Sequence, residues 1–141
     1  MEHFNRLSHS IWDCKYYIVW IPKYRRKELY GTKRCMVVDT IEQWARIKGI
    51  EIIEGHAMPD HIHLCVSIPP KYAVANAIGV LKGKSASEVM SFGTKSSRMV
   101  RGRTFWVRGY CVSTVSLDEE TIREYIRNQE KMDMLQEEPT P

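Results

Sequence analysis

Between a Met58-Pro59-Asp60 turn and the Pro69-Pro70 pair lies "HIHLCVSI" (61–68), a run that alternates strictly. In a strand, successive side chains point to opposite faces, so Ile62, Leu64, Val66 and Ile68 make one apolar face. His61, His63, Cys65 and Ser67 make the other. A helical path would scatter both sets. The stretch therefore demands a sheet that is covered by apolar packing on one side.

The rest of the chain supplies the partners. "IEIIEGHA" (50–57) is a second strand and forms a hairpin with the first across the Pro-Asp turn. "CKYYIVWI" (14–21) is β-branched and aromatic, and Pro22 stops it. Residues 33–48 carry Met36, Val37, Ile41, Trp44, Ala45 and Ile47 at helical spacing, with Gly49 as the stop. Residues 73–90 read as a second helix and the basic stretch 91–104 as a loop. "FWVRGYCVSTV" (105–115) reads as a fourth strand, and 117–133 as a last helix with Ser116 and Glu119 as its capping box. The order β-α-β-β-α-β-α predicts an α+β, ferredoxin-like (RRM-like) split βαβ antiparallel sheet with an added C-terminal helix. At 141 residues the chain suits a single domain, 1–141, with 1–12 and 134–141 as flexible tails.

Charge and cysteine usage narrow the class. Lys and Arg number 21 against 17 Asp and Glu, a mild basic bias that suits a polyanionic partner. The longest apolar runs, such as "YYIVWI" (16–21), are too short to span a bilayer, so no membrane role is expected. "MEHFNRLSHS" lacks a signal pattern, which points to the cytoplasm. Cys14, Cys35, Cys65 and Cys111 form no C-x-x-C pair and read as reduced, structural thiols.

Spacing alone leaves the two histidines open: His61 and His63 serve equally as ligands of one shared cation or as idle surface residues. In the last helix Ile122 and Ile126 form the buried stripe, and Tyr125 and Gln129 are i, i+4 neighbours beside it. Arg123, Arg127 and Glu130 turn outward. An isolated Tyr-x-x-x-Gln is more often a core edge than a site. "GVLKGKS" (79–85) imitates a phosphate-binding loop, but it is one residue short and falls inside a helix. It is rejected.

Five ordered blocks carry a resemblance: "CKYYIVWIPKYRRK" (14–27), "MPDHIHLCVSIPPKY" (58–72), "LKGKS" (81–85), "FWVRGYCVSTV" (105–115) and "TIREYIRNQ" (121–129). With them the chain resembles the single-tyrosine HUH transposases of the insertion-sequence-200/605 family, enzymes that move single-stranded DNA. The resemblance implies that His61 and His63 bind a divalent metal, Mg²⁺ or Mn²⁺, with Gln129 as third protein ligand. It implies Tyr125 as nucleophile, forming a 5′-phosphotyrosine and freeing a 3′-OH. A donor set of two imidazoles and one amide oxygen suits Mn²⁺ better than Mg²⁺, and geometry does not rule out Zn²⁺. The resemblance further implies a homodimer with composite active sites and single-stranded DNA with terminal hairpins as partner. Lys23, Arg25, Arg26, Lys82, Lys84, Arg101, Arg103 and Arg108 are the candidate DNA contacts, fixing position through phosphates.

Two positions depart from the family pattern. Tyr17 stands where relatives commonly have His, and Val115-Ser116-Leu117 replaces a Gly before the tyrosine helix. The missing Gly bears on whether that helix can be exchanged between subunits. Among rival classes, a nucleotide hydrolase with His-x-His-x-His would need His where Cys65 stands. Replication-initiator and mobilisation nucleases share the His pair but are longer. The alternative carried forward is a non-catalytic hairpin-binding module on the same fold.

Overall fold

The computed structural model describes residues 5–6, 11–12, 14–23, 29–92 and 105–137. A short antiparallel pair, β1 (Asn5–Arg6) and β2 (Ile11–Trp12), lies within the segment expected as a tail. The body follows as β3 (Lys15–Trp20), α1 (Gly31–Lys48), β4 (Glu51–Met58), β5 (His61–Ser67), α2 (Val74–Phe92), β6 (Cys111–Ser113) and α3 (Glu119–Glu137). The last four strands form one antiparallel sheet in the order β4-β5-β3-β6. Both β3 and β4 run against β5, which lies between them, so they are parallel to each other. This is the split βαβ arrangement that the element order predicts.

One face of the sheet carries the main core. Ile18 and Trp20 of β3 join Ile62, Leu64 and Val66 of β5 and Ile68 just beyond it, under Val37, Ile41 and Ala45 of α1 and Ala77, Ile78 and Leu81 of α2. Each such fully buried aliphatic contributes about 1.5–3 kcal/mol. Helix α1 stops at Gly49, whose φ of 72° is left-handed, and the Gly49 N–H reaches the carbonyls of Ala45 and Arg46. Arg46 and Lys48 in its last turn complement the helix dipole. "GVLKGKS" lies wholly within α2. Among the described residues, no helix is long and apolar enough to cross a membrane.

The fourth strand is shorter than the sequence suggests. β6 pairs with β3 through Tyr17↔Ser113, Ile18↔Val112 and Val19↔Cys111, and the next contact is an isolated bridge, Pro22↔Trp106. Trp20 and Ile21 therefore lie opposite a longer segment, Val107 to Tyr110, which must bulge. Gly109 takes φ 91° there, a left-handed value that favours glycine. Lys82 holds the bulge: its Nζ donates to the carbonyls of Val107 (3.0 Å) and Gly109 (2.7 Å). The Trp106 indole N–H in turn donates to the Lys82 carbonyl and the Ser85 hydroxyl, both at 3.1 Å.

Helix α3 also differs in its start and its length. Its first turn is capped by Asp118, whose Oδ1 accepts the Thr121 N–H at 2.8 Å, rather than by Ser116. It runs on to Glu137, past the expected end. It covers the second face of the sheet, where Ile122 and Ile126 bury against Val19, Ile21 and Val107.

Candidate functional site

β5 sends His61 and His63 to the second face, the face that α3 partly covers. The β4–β5 ladder sets Met58 opposite His61 and His56 opposite His63. These side chains line a cleft of about 340 Å³ together with Leu117, Glu119, Ile122 and Arg123. The two predicted histidines are thus brought together with the first turns of the tyrosine helix.

His61 is the more constrained. Its side chain is 6% exposed and its Nδ1 lies 2.8 Å from Asp60 Oδ1. A carboxylate can only accept, so Nδ1 carries the proton and Nε2 is the nitrogen left for a ligand. Asp60 Oδ2 accepts from Arg123 Nη1 at 2.9 Å. Burial by itself would raise the Asp60 carboxyl, but the His61 and Arg123 hydrogen bonds outweigh it and hold the group below its usual range. His63 is pushed below the ordinary imidazole value, first by burial and then by His56 and His61. A neutral imidazole is the form that ligates a metal.

The donor chemistry fits a divalent cation. One imidazole is oriented by a carboxylate, the usual outer support of a metal-binding histidine, and the other is held neutral. Among the described residues, no three His, Cys, Asp or Glu side chains converge as a metal group. His56 lies with its ring centroid 6.0 Å from that of His63, and its Nε2 is 3.0 Å from Glu54 Oε1.

Tyr125 and Gln129 sit on α3, but neither lines the cleft. The Tyr125 ring packs against the Val19, Ile21, Val107, Ile122 and Ile126 cluster. Its hydroxyl is buried, with no hydrogen-bond partner among the described residues. Burial, and secondarily Cys111, push this phenol well above its ordinary value of 10.0. Gln129 is partly buried one turn further on. At the departure noted in β3, the Tyr17 phenol meets the Cys65 thiol on the same face.

The candidate DNA contacts divide. Lys84 is exposed, with its Nζ 4.4 Å from the Trp44 ring centroid, and Arg108 is exposed on the bulge. Lys23 is partly buried beside the Pro22 bridge. Lys82 has its ammonium engaged by two carbonyls, and burial lowers it to about 8. Arg25, Arg26, Arg101 and Arg103 lie outside the described residues.

Sequence reasoning missed Asp60 and Arg123. The signal was present for the first, since an acid directly beside a candidate ligand histidine is a natural orienting group. Arg123 was assigned to solvent, because helical spacing does not reveal which neighbouring turn a helix edge will meet.

Comparison with known proteins gives the family. Residues 10–129, which include His61, His63, Tyr125 and Gln129, match the family model described as "Transposase IS200 like". The chain is 41% identical over 133 residues to the transposase for insertion sequence element IS200 of Salmonella typhimurium, covering 94% of this chain and 87% of that protein. It is 31% identical over 120 residues to the ISDra2 transposase TnpA of Deinococcus radiodurans, covering 84% of this chain and 86% of the relative. The crystal structure of a candidate transposase from Deinococcus radiodurans R1 superposes with a TM-score of 0.76 at 29% identity, covering 89% of this chain and 97% of the other. A REP-associated tyrosine transposase solved with a REP hairpin shares the fold, with a TM-score of 0.57 at 16% identity, covering 89% of this chain and 68% of the other. By these matches the chain belongs to the IS200-like transposase family.

Proposed function

We propose that this protein cuts and rejoins single-stranded insertion-sequence ends through a 5′-phosphotyrosine, with Tyr125 as the nucleophile. The observation that carries the reading is the paired imidazoles over the cleft, His61 pinned at Nδ1 by Asp60, in a chain of this family. Mg²⁺ or Mn²⁺ held by His61, His63 and Gln129 would polarise the scissile phosphate and stabilise its developing charge. The phenol oxygen bonds to phosphorus as the bond from phosphorus to the 3′ oxygen breaks. The phenol proton ends on that leaving oxygen, giving a 3′-OH. A second 3′-OH then attacks the phosphotyrosine, reseals the strand and returns the phenol. One phosphodiester is made for each one broken, so no nucleotide is consumed.

In its docked position the Tyr125 phenol is held protonated and away from solvent. The reaction therefore requires α3 to leave the apolar cluster on the second face. A homodimer with composite sites, the helix of one subunit serving the cleft of the other, would meet that requirement. Hairpin DNA would be gripped by Lys23, Lys84 and Arg108 together with Arg25, Arg26, Arg101 and Arg103. Lys82 is given instead to holding the bulge that presents Arg108.

The test incubates the protein with labelled single-stranded element ends and Mn²⁺. A covalent DNA adduct with the native chain and none with Tyr125→Phe is expected. Equal adduct in both would remove Tyr125 from its role. The buried hydroxyl favours one rival, a hairpin-binding module without chemistry. Hairpin binding with no adduct under any metal would establish that rival.

A further inference from the structure

Arg123 of α3 and His61 of β5 share one carboxylate. Asp60, in the turn between β4 and β5, is 20% exposed and accepts from each with a different oxygen, at 2.8 Å and 2.9 Å. His61 is buried, so its ring cannot swing out to find another acceptor. Arg123 directly follows the buried Ile122 and lies two residues before Tyr125. The guanidinium therefore anchors the part of α3 that carries the phenol.

We infer that Arg123 is a positioning residue that, through Asp60, couples docking of the tyrosine helix to the orientation of the His61 imidazole. Exposed ion pairs are worth little on their own. This pair acts differently because its acid is shielded, charge-assisted on both sides, and committed to a second donor. With Arg123 in place only one carboxylate rotamer satisfies both donors, so the His61 ring is pre-set with Nε2 free. Without it, Asp60 Oδ2 turns to water and the ring loses a fixed support. Coupling between two sites is reciprocal: whatever factor docked α3 adds to cation affinity, the cation adds to docking of α3, so both hold a resting form that DNA must open before Tyr125 can react. This inference rests on the proposed cation site.

The test titrates Mn²⁺ alone into the full chain, following free Mn²⁺ by electron paramagnetic resonance, and measures amide hydrogen exchange of α3 with and without the ion. Direct outer supports of metal histidines are worth about 10–100-fold in affinity, and Arg123 stands one group further out. Arg123→Gln should therefore weaken Mn²⁺ about 3–10-fold, and Arg123→Lys should restore part of that loss. In an Asp60→Ala background, or Asp60→Asn if the first folds poorly, Arg123→Gln should add nothing. Mn²⁺ should slow α3 exchange in the native chain by the same factor and leave it unchanged in Arg123→Gln. Native-like Mn²⁺ affinity in Arg123→Gln, or equal weakening with and without Asp60, would overturn the coupling while leaving the cation site intact. Mn²⁺ affinity unaltered by His61→Ala would refute the cation site and the coupling with it.

Discussion

Tyr125→Phe should stabilise the fold while abolishing strand cleavage. The hydroxyl is buried with no partner among the described residues, and its ring packs in an apolar cluster that phenylalanine would fill equally well. An unsatisfied buried hydroxyl costs about 1–3 kcal/mol. Because the residue as a whole is only partly buried, the lower part of that range applies, about 1–2 kcal/mol. For a chain of this size each kcal/mol moves the melting temperature by about 3–4 °C, so a rise of about 3–8 °C is expected. Urea unfolding at fixed protein concentration is the assay, with a higher midpoint and an unchanged slope as the expected result. The pH dependence supplies a second reading. The Tyr125 phenol is held above its ordinary value of 10.0, so above that pH the unfolded chain ionises while the native one does not. The native state then binds more protons, and stability falls as pH rises. The phenylalanine variant should lack that part of the fall. A midpoint equal to or below that of the native chain would mean that the hydroxyl finds a partner or water, and the sealed position of α3 would be refuted.

Lys82→Met should cost about 1–3 kcal/mol, because it strips the charged donor from the Val107 and Gly109 carbonyls; urea unfolding measures it. Lys82 falls to about 8 from 10.5, so between those pH values the unfolded chain holds a proton that the native one has released. The stability of the native chain relative to Lys82→Met should therefore rise through that window, and a flat difference would contradict the burial of the ammonium. Gly109→Ala should destabilise by about 1–2 kcal/mol from backbone strain alone, since its φ is 91° and nothing among the described residues stands within 4 Å of a new Cβ. Gly79→Ala, equally unobstructed but inside α2, should instead stabilise by about 0.5–1 kcal/mol, and thermal melts of the pair decide both.

The alternation of 61–68 was sufficient to predict both faces of β5, and the apolar spacing of α1 together with Gly49 predicted that helix and its end. Local pattern carried these because each element buries an apolar stripe, although Ile47, counted in that of α1, stands exposed. The break in the fourth strand was also present in the letters, as the Arg108-Gly109 pair within an apolar run, but a lone glycine does not say whether it bends a strand or merely thins it. The cap of α3 was misplaced because Ser116 and Asp118 both lead plausible first turns, and only the backbone path chooses between them. The shared face of His61 and His63 was legible from the alternation, and so was the place of Tyr125 beside the buried stripe, whereas the sealing of its hydroxyl was not. The stripe of Ile122 and Ile126 says that α3 is covered, and nothing in its period says by which face or by whose sheet.

The two faces of the sheet are secured unequally. α1 and α2 close over a broad interior, while α3 is held by Val19, Ile21 and Val107 and the Asp60–Arg123 pair. A lesion in that last helix can therefore silence the chemistry and leave an intact domain behind. On the proposed function, copies damaged in this way would persist as folded protein, would occupy an element's ends without moving them, and would compete with active copies.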